Sequence, residues 1–335
     1  MNVAVSSFSD QSVPLAAPSP LLGASAAMQD IFRLIERVAP TEASVLLTGE
    51  SGSGKELAAQ SIHDRSMRRG GPFIAINCGA IPAGLIEAEL FGYEKGSFTG
   101  AVRGHAGVFE RAQGGTLLLD EVTEMPLDMQ TRLLRVLETR KFYRVGANLE
   151  LSSDVRVIAA TNRCPLQAVQ SGQLREDLLY RLAVFPIDMP PLRSRANDVD
   201  LLAEHFLADL NAQGGTQKRF SALARMTLKQ HSWPGNVREL KNCIERAFIL
   251  ADQTLELAPL IQNTTVRVAD AAGDRERLDI RVGSRIYDME RSLIEATLEY
   301  FQGNKRRAAD ALGCSLKTLY NKLNGYSQRQ ECANS

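Results

Sequence analysis

The stretch Gly49-Glu50-Ser51-Gly52-Ser53-Gly54-Lys55 spaces three glycines and a lysine so that backbone can wrap an anion closely. Glycine allows the turns this requires, and successive N–H groups then face inward. A helix following the loop adds the positive end of its dipole. The Lys55 ammonium reaches on to the β- and γ-phosphates of a nucleoside triphosphate. The next residue is Glu56, where the general pattern has a hydroxyl for magnesium, so metal binding must draw on other groups. Those groups stand at Asp120-Glu121, closing the apolar run Thr116-Leu117-Leu118-Leu119. Asp120 is suited to hold Mg2+, directly or through water, and Glu121 to polarise an attacking water as general base. Taken alone, either motif has a plain alternative, a Gly/Ser turn or a solvated strand end. Together they point to ATP hydrolysis.

Such groups need a rigid frame. Five short β-prone runs supply it: Ser44–Leu47, Phe73–Ile76, Thr116–Leu119, Val155–Ala159 and Val184–Ile187. Helical patterns separate or precede them, at Ala26–Val38, Asp128–Arg140 and Leu174–Leu182. Fully apolar strands alternating with helices imply a parallel sheet covered on both faces, with ligands at the C-terminal strand ends. The fold class is therefore α/β, a P-loop parallel sheet. Beyond Pro190-Pro191 the readable segments, Val199–Leu210, Ser221–Lys229 and Val237–Ala251, are all helical. They form an α-helical lid subdomain over about residues 195–251. Residues 1–20, rich in Ser, Ala and Pro, have the composition of a disordered tail, and 252–284 that of a linker.

The last unit, residues 285–327, is all-α. Ile294, Leu298 and Phe301 share a helical face, Asn304–Leu312 forms a second helix, and Gly313-Cys314 is a turn. Ser315 is placed to cap a third helix, Leu316–Leu323, with Leu316, Leu319 and Leu323 inward. That order describes a helix-turn-helix whose last helix enters the DNA major groove. Six basic residues follow Gln302, against Asp310 and Glu331, a local excess suited to phosphate contacts. Lys305, Arg306, Lys317, Thr318, Tyr320, Asn321 and Lys322 are the candidate DNA-binding residues. Residues 328–335 are a tail.

Bulk properties exclude several classes. The 39 basic and 39 acidic residues cancel, so nucleic-acid affinity must be local. Five scattered cysteines (Cys78, Cys164, Cys243, Cys314, Cys332) give neither a disulfide framework nor zinc spacing, which suits reduced thiols in the cytoplasm. No apolar run approaches the ~18 residues of a membrane helix, and the N-terminus lacks a secretory signal.

From about Leu21 to Ala251 the chain resembles the AAA+ domain of bacterial sigma-54-dependent transcription activators, the NtrC-like enhancer-binding proteins. Gly49–Glu56 resembles their P-loop, where Glu after the lysine is usual. Gly96-Ser97-Phe98-Thr99-Gly100-Ala101 matches their GAFTGA loop with Ser97 in place of the first Ala. The resemblance implies that this loop contacts sigma-54 and responds to nucleotide state. It further implies that Asn77 is a switch linking Glu121 to the γ-phosphate, and that Asn162 after Thr161 is sensor I. By the same resemblance Arg175 and Arg181 are arginine fingers acting in a neighbouring subunit, and Arg238, in Trp233–Leu240, is sensor II. The C-terminal unit resembles the Fis-type DNA-binding domain of the same proteins.

The implied function is transcription activation. Bound to upstream DNA as a ring of subunits, expected to be a hexamer, such a protein uses ATP and Mg2+ to remodel the closed RNA polymerase–sigma-54 complex into an open one. Residues 1–20 are too few for the receiver domain many members carry. Control is then expected from a separate regulatory protein, from expression level, or from a related co-activator subunit. A relative that keeps the ATPase fold without activating sigma-54, and another AAA+ machine such as a helicase or its loader, are the rival readings.

Overall fold

The computed structural model describes residues 21–97, 103–195 and 198–257, together with parts of the stretch 290–323. The expected tails, most of the expected linker, Phe98, Thr99, Gly100, Ala101 and Asn321 lie outside the described residues. The chain divides into two units, Met1–Thr264 and Thr265–Ser335.

The first unit opens with α1 (Ala26–Val38), whose Met28, Ile31, Ile35 and Val38 are buried at helical spacing. Then come β1 (Val45–Thr48), α2 (Lys55–Asp64), β2 (Phe73–Asn77), α3 (Ile86–Phe91), α4 (Val108–Arg111) and β3 (Thr116–Asp120). They are followed by α5 (Leu127–Thr139), a hairpin of β4 (Lys141–Tyr143) and β5 (Glu150–Ser152), β6 (Arg156–Thr161), α6 (Pro165–Gln170), α7 (Glu176–Leu182) and β7 (Phe185–Asp188). The five long strands pair in parallel in the order β2-β3-β6-β1-β7. Alternation along each strand divides the core. Leu46, Leu117, Leu119 and Val157 join the cluster around Phe109 and Leu133, whereas Val45, Leu47, Leu118 and Ile158 join that of Met28, Ile35 and Ile62.

Two features depart from the sequence reading. The hairpin β4–β5 is additional, and α7 begins at Glu176, leaving Arg175 extended at its N-cap (φ −72, ψ 137). Arg156, fully buried on β6, donates to the carbonyls of Val38 (2.8 Å) and Ala39 (2.7 Å), capping the C-terminus of α1.

The lid comprises α8 (Asp198–Gly214), β8 (Arg219–Phe220), α9 (Ala222–Gln230), α10 (Asn236–Leu250) and β9 (Thr254–Leu255). It is thus not wholly helical: β8 pairs with β9 in parallel, and Leu255 and Leu257 are fully buried with Trp233, Leu240 and Ile244. The start of the expected linker, 252–257, therefore packs into the lid. Burial of two leucines holds it there, at about 1.5–3 kcal/mol for each side chain.

In the second unit, α11 (Lys305–Ala311) is capped by Asn304, whose Oδ1 accepts from the Arg307 N–H at 3.2 Å. Gly313 (φ 64) makes the turn, as a left-handed position after a helix favours. Ala308, Ala309, Ile294 and Leu319 form the core, with Leu298, Phe301 and Leu323 partly buried against it. Leu316, expected inward, is 42% exposed, because this core closes around Leu319.

Candidate active site

The seven-residue loop joins β1 to α2, and its glycines are conformationally required. Gly49, Gly52 and Gly54 have φ of 139°, 75° and 102°. A Cβ on Gly49 would lie 2.6 Å from the Met189 carbonyl, and one on Gly52 2.5 Å from that of Gly235. The Lys55 ammonium donates to the carbonyls of Gly49 (2.9 Å) and Glu50 (3.3 Å). Burial lowers its proton affinity, opposed by the nearby charges of Glu121 and Asp120. The buried Ser53 hydroxyl has no hydrogen-bond partner among the described residues.

A cleft of about 490 Å3 opens on this loop. Ser51, Gly52, Gly54, Lys55 and Glu56 line one side, Asp120 and Glu121 another, and Phe206, Val237 and Arg238 face them from the lid. This arrangement fits a triphosphate: inward-facing backbone, one lysine, one lid arginine and two carboxylates at a strand end. The Arg238 guanidinium also donates to the Ser51 hydroxyl at 2.9 Å.

At the sheet edge, Asp120 Oδ1 accepts from the Glu121 N–H at 3.0 Å, and the Asn77 amide lies 3.5 Å from Oδ2. Asn77 Oδ1 accepts from Gly79 (2.9 Å) and Ala80 (3.1 Å). Asn77 is thus joined to Asp120, which the β2–β3 register sets opposite it. Glu121 has left-handed backbone (φ 52), and its Oε2 accepts from the Asn162 N–H at 3.2 Å. Asn162 therefore meets the acid through its main chain.

Glu50 is turned away from the cleft, its carboxylate held by Arg193 and Asn236. Hydrogen bonds from Arg193 first, then Asn236, lower its pKa to about 2. Neither Arg175 nor Arg181 lines the cleft. Arg175 forms a forked pair with Asp177 (3.0 and 2.7 Å), and Arg181 donates to the Leu137 carbonyl at 2.8 Å.

The segment before Phe98 is anchored. Tyr93 and His105 exchange backbone hydrogen bonds (3.0 and 2.9 Å), and Tyr93 also bridges to Val145 in the β4–β5 turn. Arg144, in the same turn, pairs with Glu94 (2.9 Å) and, through two nitrogens, with Glu110 (2.8 and 2.6 Å). Ser97 rests on Gly146, where a Cβ would come within 2.7 Å of its own. Gly96 (φ 84) has open space around it. Sequence reasoning missed Arg144, Arg193 and Asn236; the arginine pair Arg193 and Arg195, directly after Pro190-Pro191, was the available signal for the second.

In the C-terminal unit, Lys305, Arg306, Lys317, Thr318 and Tyr320 are exposed. Lys305 stacks its ammonium over the Tyr320 ring at 4.6 Å, and Lys322 pairs with Glu290.

Three families match along the chain: "Sigma-54 interaction domain" over residues 21–188, "AAA+ ATPase lid domain" over 193–274, and "Bacterial regulatory protein, Fis family" over 286–326. The DNA-binding transcriptional regulator NtrC of Rhizobium meliloti is 44% identical, the match covering 91% of this chain and 69% of that protein. The regulatory protein AtoC of Escherichia coli is 43% identical over 91% of this chain and 67% of its own. NtrX from Brucella abortus, solved in complex with ATP, is similar in structure with a TM-score of 0.67 and 35% identity, over 92% of this chain and 69% of that one. The chain belongs to the sigma-54-dependent transcription activators, with an AAA+ P-loop ATPase domain, its lid, and a Fis-type helix-turn-helix DNA-binding domain.

Proposed function

We propose that this protein works in the cytoplasm as a ring, a hexamer in its active form, bound to DNA upstream of its promoters. ATP hydrolysis at subunit interfaces drives remodelling of the closed RNA polymerase–sigma-54 complex into an open one. The observation that carries this reading is the single cleft onto which Lys55, Asp120, Glu121 and the lid's Arg238 all open.

In this reading the P-loop amides and Lys55 hold the phosphates, and Arg238 reaches them from the lid. Asp120, steadied by Asn77, holds Mg2+, which supplies charge neutralisation to the β- and γ-phosphates when bound. Glu121, oriented by the Asn162 N–H, takes a proton from water as its oxygen attacks the γ-phosphorus. The bond to the β-bridging oxygen breaks and ADP leaves with the electron pair. Arg175 and Arg181 enter from the neighbouring subunit to stabilise transition-state charge, Arg175 exchanging Asp177 for phosphate. Movement at the site raises and retracts the loop Gly96–Ala101, whose Phe98 presents an apolar contact to sigma-54. Lys305, Arg306, Lys317, Thr318, Tyr320, Asn321 and Lys322 contact DNA from the domain at 285–327.

An abortive-transcription assay with sigma-54 polymerase tests this. ATP-dependent product is expected, abolished by Phe98→Ala while ATP hydrolysis persists. Product unaffected by that change, or hydrolysis that never yields open complex, would overturn the reading.

A further inference from the structure

The nucleotide loop is gripped from outside by the segment that leads into the lid. Arg193 lies in the 3-10 turn Leu192–Ser194, between β7 and α8. Its two terminal nitrogens meet both carboxylate oxygens of Glu50, at 2.6 and 2.8 Å. Asn236, fully buried at the start of α10, has left-handed backbone (φ 53). Its amide donates to Glu50 Oε2 (3.1 Å) and to the Ser51 carbonyl (3.0 Å), while its Oδ1 accepts from the Leu192 N–H (2.7 Å). Two residues past Arg193, the buried Arg195 donates to the Ser53 carbonyl at 2.7 Å. Every non-glycine residue between Gly49 and Lys55 is therefore tied to the hinge or the lid.

We propose that Glu50 does not contact nucleotide but acts with Arg193 and Asn236 as a positioning linkage that makes loop shape and lid position one coupled state. This rests on the nucleotide site proposed above. The forked pair fixes orientation as well as distance. Its side chains are 42% and 51% exposed, so its own share of stability is small, about 0–1 kcal/mol. What the linkage supplies is geometry: the amides of Gly52 and Gly54 are aimed only while the hinge holds the loop from behind. Breaking it weakens nucleotide binding and leaves the carboxylate chemistry at Glu121 intact.

The test uses the full chain, with Glu50→Gln, Arg193→Gln and the double variant, reading the Kd of a fluorescent ATP analogue, KM and kcat for ATP, and Tm. Each single change should raise Kd and KM about 5–10-fold with kcat within about twofold, and the double should be no worse than either single. Tm should move by no more than about 4 °C. Losses that multiply in the double variant, an unchanged Kd, or a fall confined to kcat would each overturn the proposal. Should Arg193→Gln not fold, Arg193→Lys keeps the charge but loses the fork, and its Kd must still rise. Lys55→Ala separates the two readings. If it binds the analogue normally, the site itself is wrong; if it abolishes binding while the Arg193 variants bind normally, only the linkage fails.

Discussion

Asn77 and Asp120 stand opposite each other in the β2–β3 register, with the asparagine amide 3.5 Å from the carboxylate. The turn amides of Gly79 and Ala80 fix the other end of that amide group, so Asn77 steadies the acid expected to hold Mg2+. Asn77→Ala should raise the Mg2+ concentration for half-maximal hydrolysis about 5–10-fold. ATP-analogue binding measured in EDTA should be unchanged. A Mg2+ titration of ATPase rate checks this.

Glu121 and Lys55 should separate cleanly. Glu121→Gln keeps shape and loses the base, so hydrolysis should drop about 10²–10⁴-fold with nucleotide still bound. Lys55→Ala should abolish binding itself. Equilibrium binding beside steady-state turnover distinguishes them.

The two proposed fingers differ in what else they do. Among the described residues the Arg175 guanidinium pairs only with exposed Asp177, so Arg175→Ala should leave Tm within about 2 °C and remove activity. Arg181 also satisfies the Leu137 carbonyl near the end of α5, and its loss should cost about 1 kcal/mol in addition. Mixing Arg175→Ala subunits with Lys55→Ala subunits should restore part of the activity, since each lacks what its neighbour provides. No recovery on mixing would count against a shared site.

Thiol chemistry should be uneven. Burial pushes Cys78 up to about 12, with the charges of Asp120 and Glu121 adding to it, and pushes Cys243 up to about 11. Both stay protonated through neutral and mildly alkaline pH, whereas Cys164 is exposed. Iodoacetamide at pH 8 should label Cys164 in the native protein and leave Cys78 and Cys243 unmodified until the chain is unfolded. Mass spectrometry of the digests reports this.

Much of the framework was legible because its signals are local. A strand buried on both faces needs an unbroken apolar run, and Thr116–Leu119 has one. The loop and the acids that serve it are set by spacing. What stayed hidden depends on partners distant in sequence or on main-chain atoms. Arg156 serves carbonyls 117 and 118 positions away, and a carbonyl leaves no mark on composition. The contact of Asn77 with Asp120 is set by strand register, which sequence spacing does not give. Residues 252–257 looked like linker because a two-residue strand such as Thr254–Leu255 is below the length at which alternation can be seen.

The left-handed backbone of Glu121 carries a consequence for laboratory evolution. A side chain at φ 52 costs roughly 1–2 kcal/mol relative to glycine. The hydrogen bond its carboxylate receives from the Asn162 N–H offsets about 0.5–1.5 kcal/mol of that. Set against the roughly 0.4–1 kcal/mol of unfolded-chain entropy that a glycine adds, Glu121→Gly should change stability little, and a library screened for heat resistance alone should not remove it. The survivors would include stable proteins that bind ATP and never turn it over, so any such screen on this scaffold has to select for turnover in the same round.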